Sequence, residues 1–457
     1  MPIDVTTPQS PGWWLLRLQH KLDDRRKRVD PLYARYEGNA ETPAELSSAP
    51  ETARRFYRTA RTNFAEMLVK SVRYRLRVAY IQTSKENGDG GSAEAWREWR
   101  RAGMIVEAAD IERNMLISGD GYAMVGVHDG KVAATSEDPR QVVTIHDPVR
   151  QSVTRAGAKF FRDADEGVDY AYLHRPGRVW VAYRPKRGTT LSRFSAQWDW
   201  DDTRGGEEGE PLPDPEFIGI VRYRNDEGVG EFERHSDLLN RIDHLILQGM
   251  VIATLQAFKQ RAIKANLPKN DPVTGEEIDY NDIFSSDPGA LWELPESAEM
   301  WESGAVDVTP IVGMVEKEIE RLSAVTFTPM SAFTPEGANQ SAQGASLIKE
   351  GAVLKTEDKM RRAGAAHAQT AALIFTLAGL DVGDPEDIVI GWAPGQRYGL
   401  SERGEAAKAA KESGMPWSTI MRDIWGFSPE QVERMKAERF TDAVLFASQV
   451  DNAAAGQ

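Results

Sequence analysis

The segment 236–260, SDLLNRIDHLILQGMVIATLQAFKQ, restricts the possible folds of this chain more than any other stretch. Ser236 or Asp237 can cap a helix at its start, and apolar residues follow at helical spacing. They occupy every face of that helix: Leu239, Ile242, Leu245, Ile246, Leu247, Met250, Val251, Ile252, Leu255 and Phe258. A helix that is apolar all round must be covered all round. It is either the central helix of one large core or a helix packed between neighbouring subunits.

A second helix follows the segment 261–308, which has the composition of loops and short strands. Thr309 and Pro310 predict its start, since proline is favoured at the first helical position, and it is expected to run to about Ala324. One stripe of this helix is apolar: Ile311, Met314, Val315, Ile319 and Leu322. Ser341 then caps a third, long helix to about Leu380, with Gly344, Gly351 and Gly364 as possible bend points.

Between the second and third helices lies an irregular apolar loop, within SAVTFTPMSAFTPEGANQSAQGASL (323–347). Phe327, Met330 and Phe333 sit among prolines in a stretch that cannot continue either helix. Exposure of apolar side chains to water in a loop is unfavourable, so something is expected to cover or use them. The loop is therefore either ordinary core filling or a surface that something outside the loop covers or uses.

The remaining segments predict an α+β chain of 457 residues, enough for about two to four domains. Residues 12–29 form an amphipathic helix, with a second short helix from Pro31, and 92–121 is helical. Residues 56–80 begin as a helix and end as a strand. Short antiparallel strands follow over about 121–224, with Asp129-Gly130 as the clearest hairpin turn. The acidic insert 199–215 is expected to be a mobile loop, and 387–392 a strand before C-terminal helices.

Sequence motifs nominate no catalytic group, metal site or cofactor. HExxH, GxSxG, P-loop and GxGxxG patterns are missing, and the SxxK match at 346–349 lacks its partner motifs. Asp199, Asp201 and Asp202 could hold a divalent ion, but a solvated acidic loop explains them as well. KSVRYRLRV (70–78) is expected to be a strand with a basic solvent face, and nucleic-acid contact is the alternative.

Composition sets further limits. There are no cysteines, which excludes disulfides and thiolate metal sites. The N-terminus lacks the pattern of a secretory signal, and the longest uncharged apolar window, 244–258, is too short for a membrane span. The net charge of −14 argues against tight, static binding of nucleic acid, because phosphate neutralisation supplies most of that affinity. The negative net charge is compatible with nucleic acid that passes the protein without binding tightly.

The order of these parts resembles the portal proteins of tailed double-stranded-DNA bacteriophages, of the siphophage head-to-tail connector type. A long helix, a loop-and-strand excursion, a capped returning helix, an apolar loop and a very long helix follow one another. Five further stretches are similar to that family: LDDRRKRVDPLYARYEGNAETP, RTNFAEMLVKSVRYRLRV, NMLISGDGYAMVGV, SDLLNRIDHLI and NQSAQGASLIKE. The resemblance covers nearly the whole chain.

The resemblance implies a portal-type α+β subunit, in which each segment takes a named part. Residues 1–235 would be the N-terminal part of a mixed α/β wing, 236–260 and 309–324 the two stem helices, and 261–308 a small α/β clip. Residues 325–340 would be the tunnel loop, 341–399 a long kinked wing helix with a strand, and 400–457 a helical crown.

The same resemblance assigns residues to three surfaces. The tunnel loop would line a DNA channel with Phe327, Thr328, Pro329, Met330, Phe333, Thr334, Pro335 and Asn339. The stem would form the subunit interface with Leu245, Ile246, Met250, Ile252, Leu255, Phe258, Met314, Ile319 and Leu322. The clip would dock partners with Asp282, Phe284, Trp292 and Trp301.

A portal subunit would have no enzymatic activity and no cofactor. Its partners would be further copies of itself in a dodecameric ring, double-stranded DNA without sequence specificity, the terminase large subunit, a head-completion or adaptor protein, and capsid and scaffold proteins. The ring would assemble in the bacterial host cytoplasm and end at the portal vertex of the virion, with no membrane contact. Two alternatives remain open: a hydrolase with an acidic pair in the region 121–224, and another virion structural protein without a channel.

Overall fold

The computed structural model describes residues 3–40, 51–83, 92–185, 198–257, 261–264, 269–270, 273–278, 280, 299–302, 304, 306–334, 342–380, 385–395 and 399–455. The chain divides into two compact units. The larger unit comprises Met1–Glu41, Asn63–Arg234 and Thr326–Gln457, and the smaller unit comprises Thr42–Thr62 and His235–Val325. Residues 42–62, which the sequence assigned to the wing, therefore cluster with the two predicted stem helices.

The larger unit begins with helix α1, Pro11–Tyr36, whose N-cap is Ser10. The prediction of a second helix from Pro31 is wrong, because Pro31 lies inside α1. Proline in a helix interior costs a hydrogen bond and crowds the preceding turn. Burial of Val29, Leu32 and Tyr33, and the 2.8 Å hydrogen bond from the Tyr33 hydroxyl to Asn114, offset that cost.

After α1 come α3, Phe64–Arg73; β1, Val78–Gln82; α4, Ala93–Arg101; and α5, Met104–Ser118. The predicted strand at 70–78 is wrong, since its first residues complete α3 and only Val78 belongs to β1. The predicted helix over 92–121 is two helices, because Gly103 adopts a left-handed conformation with φ 89°.

Arg73, Arg75 and Arg77 line a cavity of about 850 Å³ together with Trp96 and Trp99.

Two antiparallel sheets confirm the strand-rich prediction for 121–224. One has the order β10-β2-β3, from Ile220–Arg224, Asp120–His128 and Lys131–Glu137. Asp129 and Gly130 form the two-residue turn between β2 and β3, both with positive φ (49° and 72°), as the Asp-Gly pair predicts. The other has the order β4-β5-β6-β7-β8, with β9 pairing with β7.

The second sheet and α1 enclose one hydrophobic core of the larger unit. Its strands are β4, Val142–His146; β5, Thr154–Asp163; β6, Val168–Arg175; β7, Arg178–Pro185; β8, Asp199–Trp200; and β9, Glu210–Pro211. Alternate residues of β5, β6 and β7 pack against Trp14, Leu15, Leu18 and Leu22 of α1. The insert 199–215 is thus more ordered than predicted, since it supplies β8 and β9 and buries Trp200.

The third predicted helix is α8, Ala342–Ala378, a single helix of 37 residues. It continues through Gly351 and Gly364, and Ser341, the predicted cap, lies outside the described residues. Strand β13, Val389–Trp392, confirms the predicted strand and pairs antiparallel with β1. The C-terminal helices are α9, Leu400–Glu412; α10, Trp417–Thr419, extended by a π-helical turn at Ile420–Ile424; and α11, Pro429–Ala455.

The smaller unit contains α2, Glu51–Ala60; α6, Ser236–Ala257; β11, Arg261–Lys264; β12, Glu299–Glu302; and α7, Thr309–Thr326, which continues into the larger unit. Strands β11 and β12 pair antiparallel. Asp307 caps the start of α7 by accepting a 2.9 Å hydrogen bond from the Thr309 amide. Among the described residues, no helix is both long and apolar enough to cross a bilayer.

Candidate functional site

The first two residues of the predicted tunnel loop, 325 and 326, complete α7, and the residue that follows the helix has an unusual backbone. Phe327 has φ 50°, a left-handed conformation that a bulky residue rarely adopts. Its side chain is 56% exposed, yet its ring lies over Gly351 of α8. A Cβ atom at position 351 would stand 2.6 Å from Cδ1 of Phe327. Because Gly351 has no side chain, the Phe327 ring can occupy the space beside it.

The residues beside Phe327 are buried. Thr326 is 3% exposed and Thr328 1% exposed, and the Thr326 hydroxyl donates to that of Thr328 at 3.0 Å. Lys355 Nζ donates to the Thr326 carbonyl at 3.0 Å. Thr328 thus faces the interior of the larger unit, and its side chain is not available at the surface of this chain.

Lys355 belongs to a buried charge cluster. The Glu231 carboxylate lies 2.7 Å from Lys355 Nζ and 3.1 Å from Lys359 Nζ, and its side chain is 4% exposed. Burial acts to raise the pKa of Glu231, but the two lysine charges and their hydrogen bonds lower it to about 2. Thr326 is therefore tied to α8 by the hydrogen bond from Lys355, and a buried ion pair with Glu231 holds that lysine in place.

The distal part of the loop is only partly covered. Residues Met330–Ala332 form a 3₁₀ turn, in which the Phe333 and Thr334 amides both donate to the Met330 carbonyl. Pro329, Met330 and Phe333 are half-buried, and Thr334 is exposed. The Phe333 ring packs on Phe64 of α3 with centroids 5.5 Å apart. Pro335 and Asn339 lie outside the described residues.

In the smaller unit, the residues predicted for the stem interface differ in exposure. Leu245 and Leu322 are buried within the chain itself, so neither side chain is open to a partner. Met314 is 54% exposed, and Ile246, Met250, Ile252 and Ile319 are half-buried. The side chains of Leu255 and Phe258 lie outside the described residues. The sequence missed Val312, 53% exposed on the same helix as Met314.

The predicted clip residues are described only in part. Trp301 lies in β12 opposite Ala262 and is 58% exposed, and its neighbour Met300 is 51% exposed. Asp282, Phe284 and Trp292 lie outside the described residues. Strand β12 thus carries two exposed apolar side chains, Met300 and Trp301, of which the sequence predicted only Trp301.

Titratable groups do meet in the larger unit, but they are sealed in its core. His367 accepts or donates a 3.0 Å hydrogen bond at Glu112 and another at the Tyr223 hydroxyl, which also contacts Thr370 at 2.7 Å. Glu112 is 2% and His367 0% exposed, and burial raises the pKa of Glu112. This network joins α5, β10 and α8. Within the described ranges, no group of three or more acidic or histidine side chains could hold a metal ion.

Sequence reasoning missed the partners of the loop: Gly351, Lys355, Glu231 and Phe64. The sequence marks Gly351 as a possible bend in α8, and a glycine inside a predicted helix indicates an unusual structural requirement at that position. No local pattern identifies the other three, because each lies far from the loop along the chain.

Comparison with known proteins gives one match that covers most of the chain. A family model described as "Phage portal protein, SPP1 Gp6-like" matches residues 15–443. No curated protein sequence matches.

Solved structures also match. A chain from "Virion of native gene transfer agent (GTA) particle" is 14% identical; the match covers 88% of this chain and 99% of that chain, with a TM-score of 0.42. A chain from "Neck of empty GTA particle computed with C6 symmetry" is 13% identical, with the same coverage and TM-score.

Proposed function

This chain belongs to the SPP1 Gp6-like family of phage portal proteins, and on that premise we propose that it forms a closed ring of twelve identical subunits at one capsid vertex. Double-stranded DNA would enter the capsid through the ring and leave it by the same route. The family match over residues 15–443 carries this proposal. The family is a structural one, so the coarse role is that of a virion component and not of an enzyme.

The unpartnered apolar residues of the smaller unit support a ring contact. Val312 and Met314 on α7, and Val251 (38% exposed) on α6, are apolar side chains that no described part of the chain covers fully. Apolar groups exposed together on paired helices are characteristic of a contact surface. We assign them to the contact between neighbouring stem regions, in place of Leu245 and Leu322.

The loop supports a role in DNA passage. Met330 and Thr334 offer surface without a cationic group, so they cannot neutralise phosphates. Met330 also lacks the donor and acceptor pattern needed to read bases. Weak, sequence-independent contact lets DNA slide. In this proposal Met330, Thr334 and the exposed part of Phe327 face the channel, while Thr328 supports the loop from inside.

The finer partner assignments are part of the same proposal. The exposed Met300 and Trp301 of strand β12 would meet the terminase large subunit during packaging and an adaptor protein afterwards. Capsid and scaffold proteins would contact the ring from outside it. Assembly would take place in the bacterial host cytoplasm.

Two measurements test the proposal. Native mass spectrometry of the purified protein should find a closed oligomer of many subunits, and a monomer or dimer at all concentrations would contradict it. A packaging assay should then show less encapsidated DNA for Thr334→Glu, because a ring of added carboxylates repels the phosphates of the passing duplex. Ser152→Glu, at an exposed turn of the larger unit, is the matched control and should package like the parent. Equal packaging by both variants would remove the loop from the DNA path.

A further inference from the structure

The junction between α7 and the loop combines a strained residue with a contact that only glycine permits. Phe327 has φ 50°, and non-glycine residues persist in this region only when their surroundings hold them there. Glycine and asparagine adopt this left-handed conformation readily, but phenylalanine does not. Something outside the loop must therefore fix Phe327.

Gly351 is the first of two contacts that do so. The ring of Phe327 occupies the position where a side chain at 351 would be, 2.6 Å from an added Cβ. Glycine in a helix interior lowers the stability of the helix. The contact with the Phe327 ring offsets this loss within the 37-residue α8.

Lys355 is the second contact, one helical turn beyond Gly351 and hence on the same face of α8. Its ammonium holds the carbonyl of Thr326, the residue immediately before Phe327. Glu231 keeps that ammonium in place from the opposite side at 2.7 Å. Backbone and ring at the junction are thus held from one helix face.

We propose that Gly351 is a positioning residue for the loop: it forms a notch in α8 that seats the Phe327 ring and so fixes the path of the loop after Phe327. Since φ at position 327 sets the path of everything after it, the notch sets where Met330 and Thr334 stand. In a ring, it would hold every copy of the loop at the same angle. This last consequence rests on the proposed function, whereas the notch itself does not.

The test is a double-mutant cycle read by hydrogen exchange of the purified protein, without DNA. Gly351→Ala should speed exchange of the Phe333 and Thr334 amides severalfold, because the displaced ring releases the turn in which they donate to the Met330 carbonyl. Phe327→Ala introduces no clash and should loosen the same amides. Adding Gly351→Ala to Phe327→Ala should change nothing further, since the ring that clashes is gone.

Gly364→Ala is the matched control on the same helix. A Cβ there meets Trp392 Nε1 at 3.3 Å, which a small side-chain shift relieves, so loop exchange should equal that of the parent. The inference is overturned if Gly351→Ala leaves the loop amides unchanged, or if its effect is the same with and without the Phe327 ring. Loosened loop amides together with normal DNA packaging would leave the notch established and would instead contradict the role of the loop in the channel.

Discussion

Arg241 of α6 donates to the Glu318 carboxylate of α7 at 2.7 Å, and this ion pair aligns the two helices of the smaller unit. Further along, Gly249 lies beside Ile311, whose Cγ2 would be 3.5 Å from a Cβ at 249. Positions thus increase along α6 as they decrease along α7, so the helices are antiparallel. Along α7, Leu322 is buried, whereas Val312 and Met314 are exposed.

The exposed side of α7 leads to a prediction about assembly. Met314→Asp should prevent ring formation while leaving the subunit folded, because it places a charge in a contact between subunits but not in the core of one chain. Size-exclusion chromatography with light scattering measures the oligomer, and circular dichroism the fold. Glu316→Gln on the same helix should assemble normally. Intact Met314→Asp rings would place the subunit contact elsewhere.

Leu245→Asp should behave differently. Its side chain is 7% exposed within the chain, so the aspartate would be buried without a partner and the smaller unit should lose helical structure. Circular dichroism before assembly distinguishes this loss from a defect of association. A folded Leu245→Asp monomer would show that Leu245 serves the interface after all.

The contact between Phe64 and Phe333 predicts a coupled loss of stability. Phe333 is half-buried, so Phe333→Ala should cost about half of the ~3–5 kcal/mol typical of a fully buried phenylalanine. In a double-mutant cycle with Phe64→Ala, the coupling should be about 0.5–1.5 kcal/mol, the usual value for an aromatic pair. Urea unfolding measures each free energy. Strict additivity would mean that the rings do not interact in solution.

The cluster of Glu231, Lys355 and Lys359 predicts a dependence of stability on pH. The folded pKa of Glu231, about 2, lies below its ordinary value of 4.5. The ionised carboxylate therefore stabilises the fold above about pH 4.5, and this contribution is lost as the pH falls toward 2. It amounts to about 3 kcal/mol, at 1.36 kcal/mol per pKa unit.

Glu231→Gln should remove that acid dependence and, at neutral pH, cost about 3–5 kcal/mol, because it leaves buried lysines without a counter-charge. Glu357→Gln, at an exposed position of α8, should change neither property. Unfolding by urea at several pH values below 5 measures both effects. An unchanged slope of stability against pH in Glu231→Gln would show that the pair does not persist in solution.

A further prediction concerns nucleotides. The chain has no phosphate-binding motif, and its family is structural, so the purified protein should neither bind nor hydrolyse ATP. Isothermal titration calorimetry and a phosphate-release assay test this directly. Stoichiometric binding of ATP would assign part of the packaging motor's chemistry to the ring itself.

The sequence by itself determined the elements whose signals are local. Ser236 and Thr309 mark the starts of α6 and α7, since capping and first-turn preferences act within a few residues. The turn at Asp129-Gly130 was likewise predictable from the local sequence, because its two positive φ angles depend on those two residues alone. The family resemblance came from the order of such elements.

Only the tertiary structure decided which side chains meet across long separations. Burial of Val29, Leu32 and Tyr33 carried α1 through Pro31 against the local preference. The seat of Phe327 on Gly351, and the placement of Thr328 inside the larger unit, depend on how α8 packs beside the end of α7. Packing of this kind sums many weak contacts between distant residues, and no window of the sequence contains both partners.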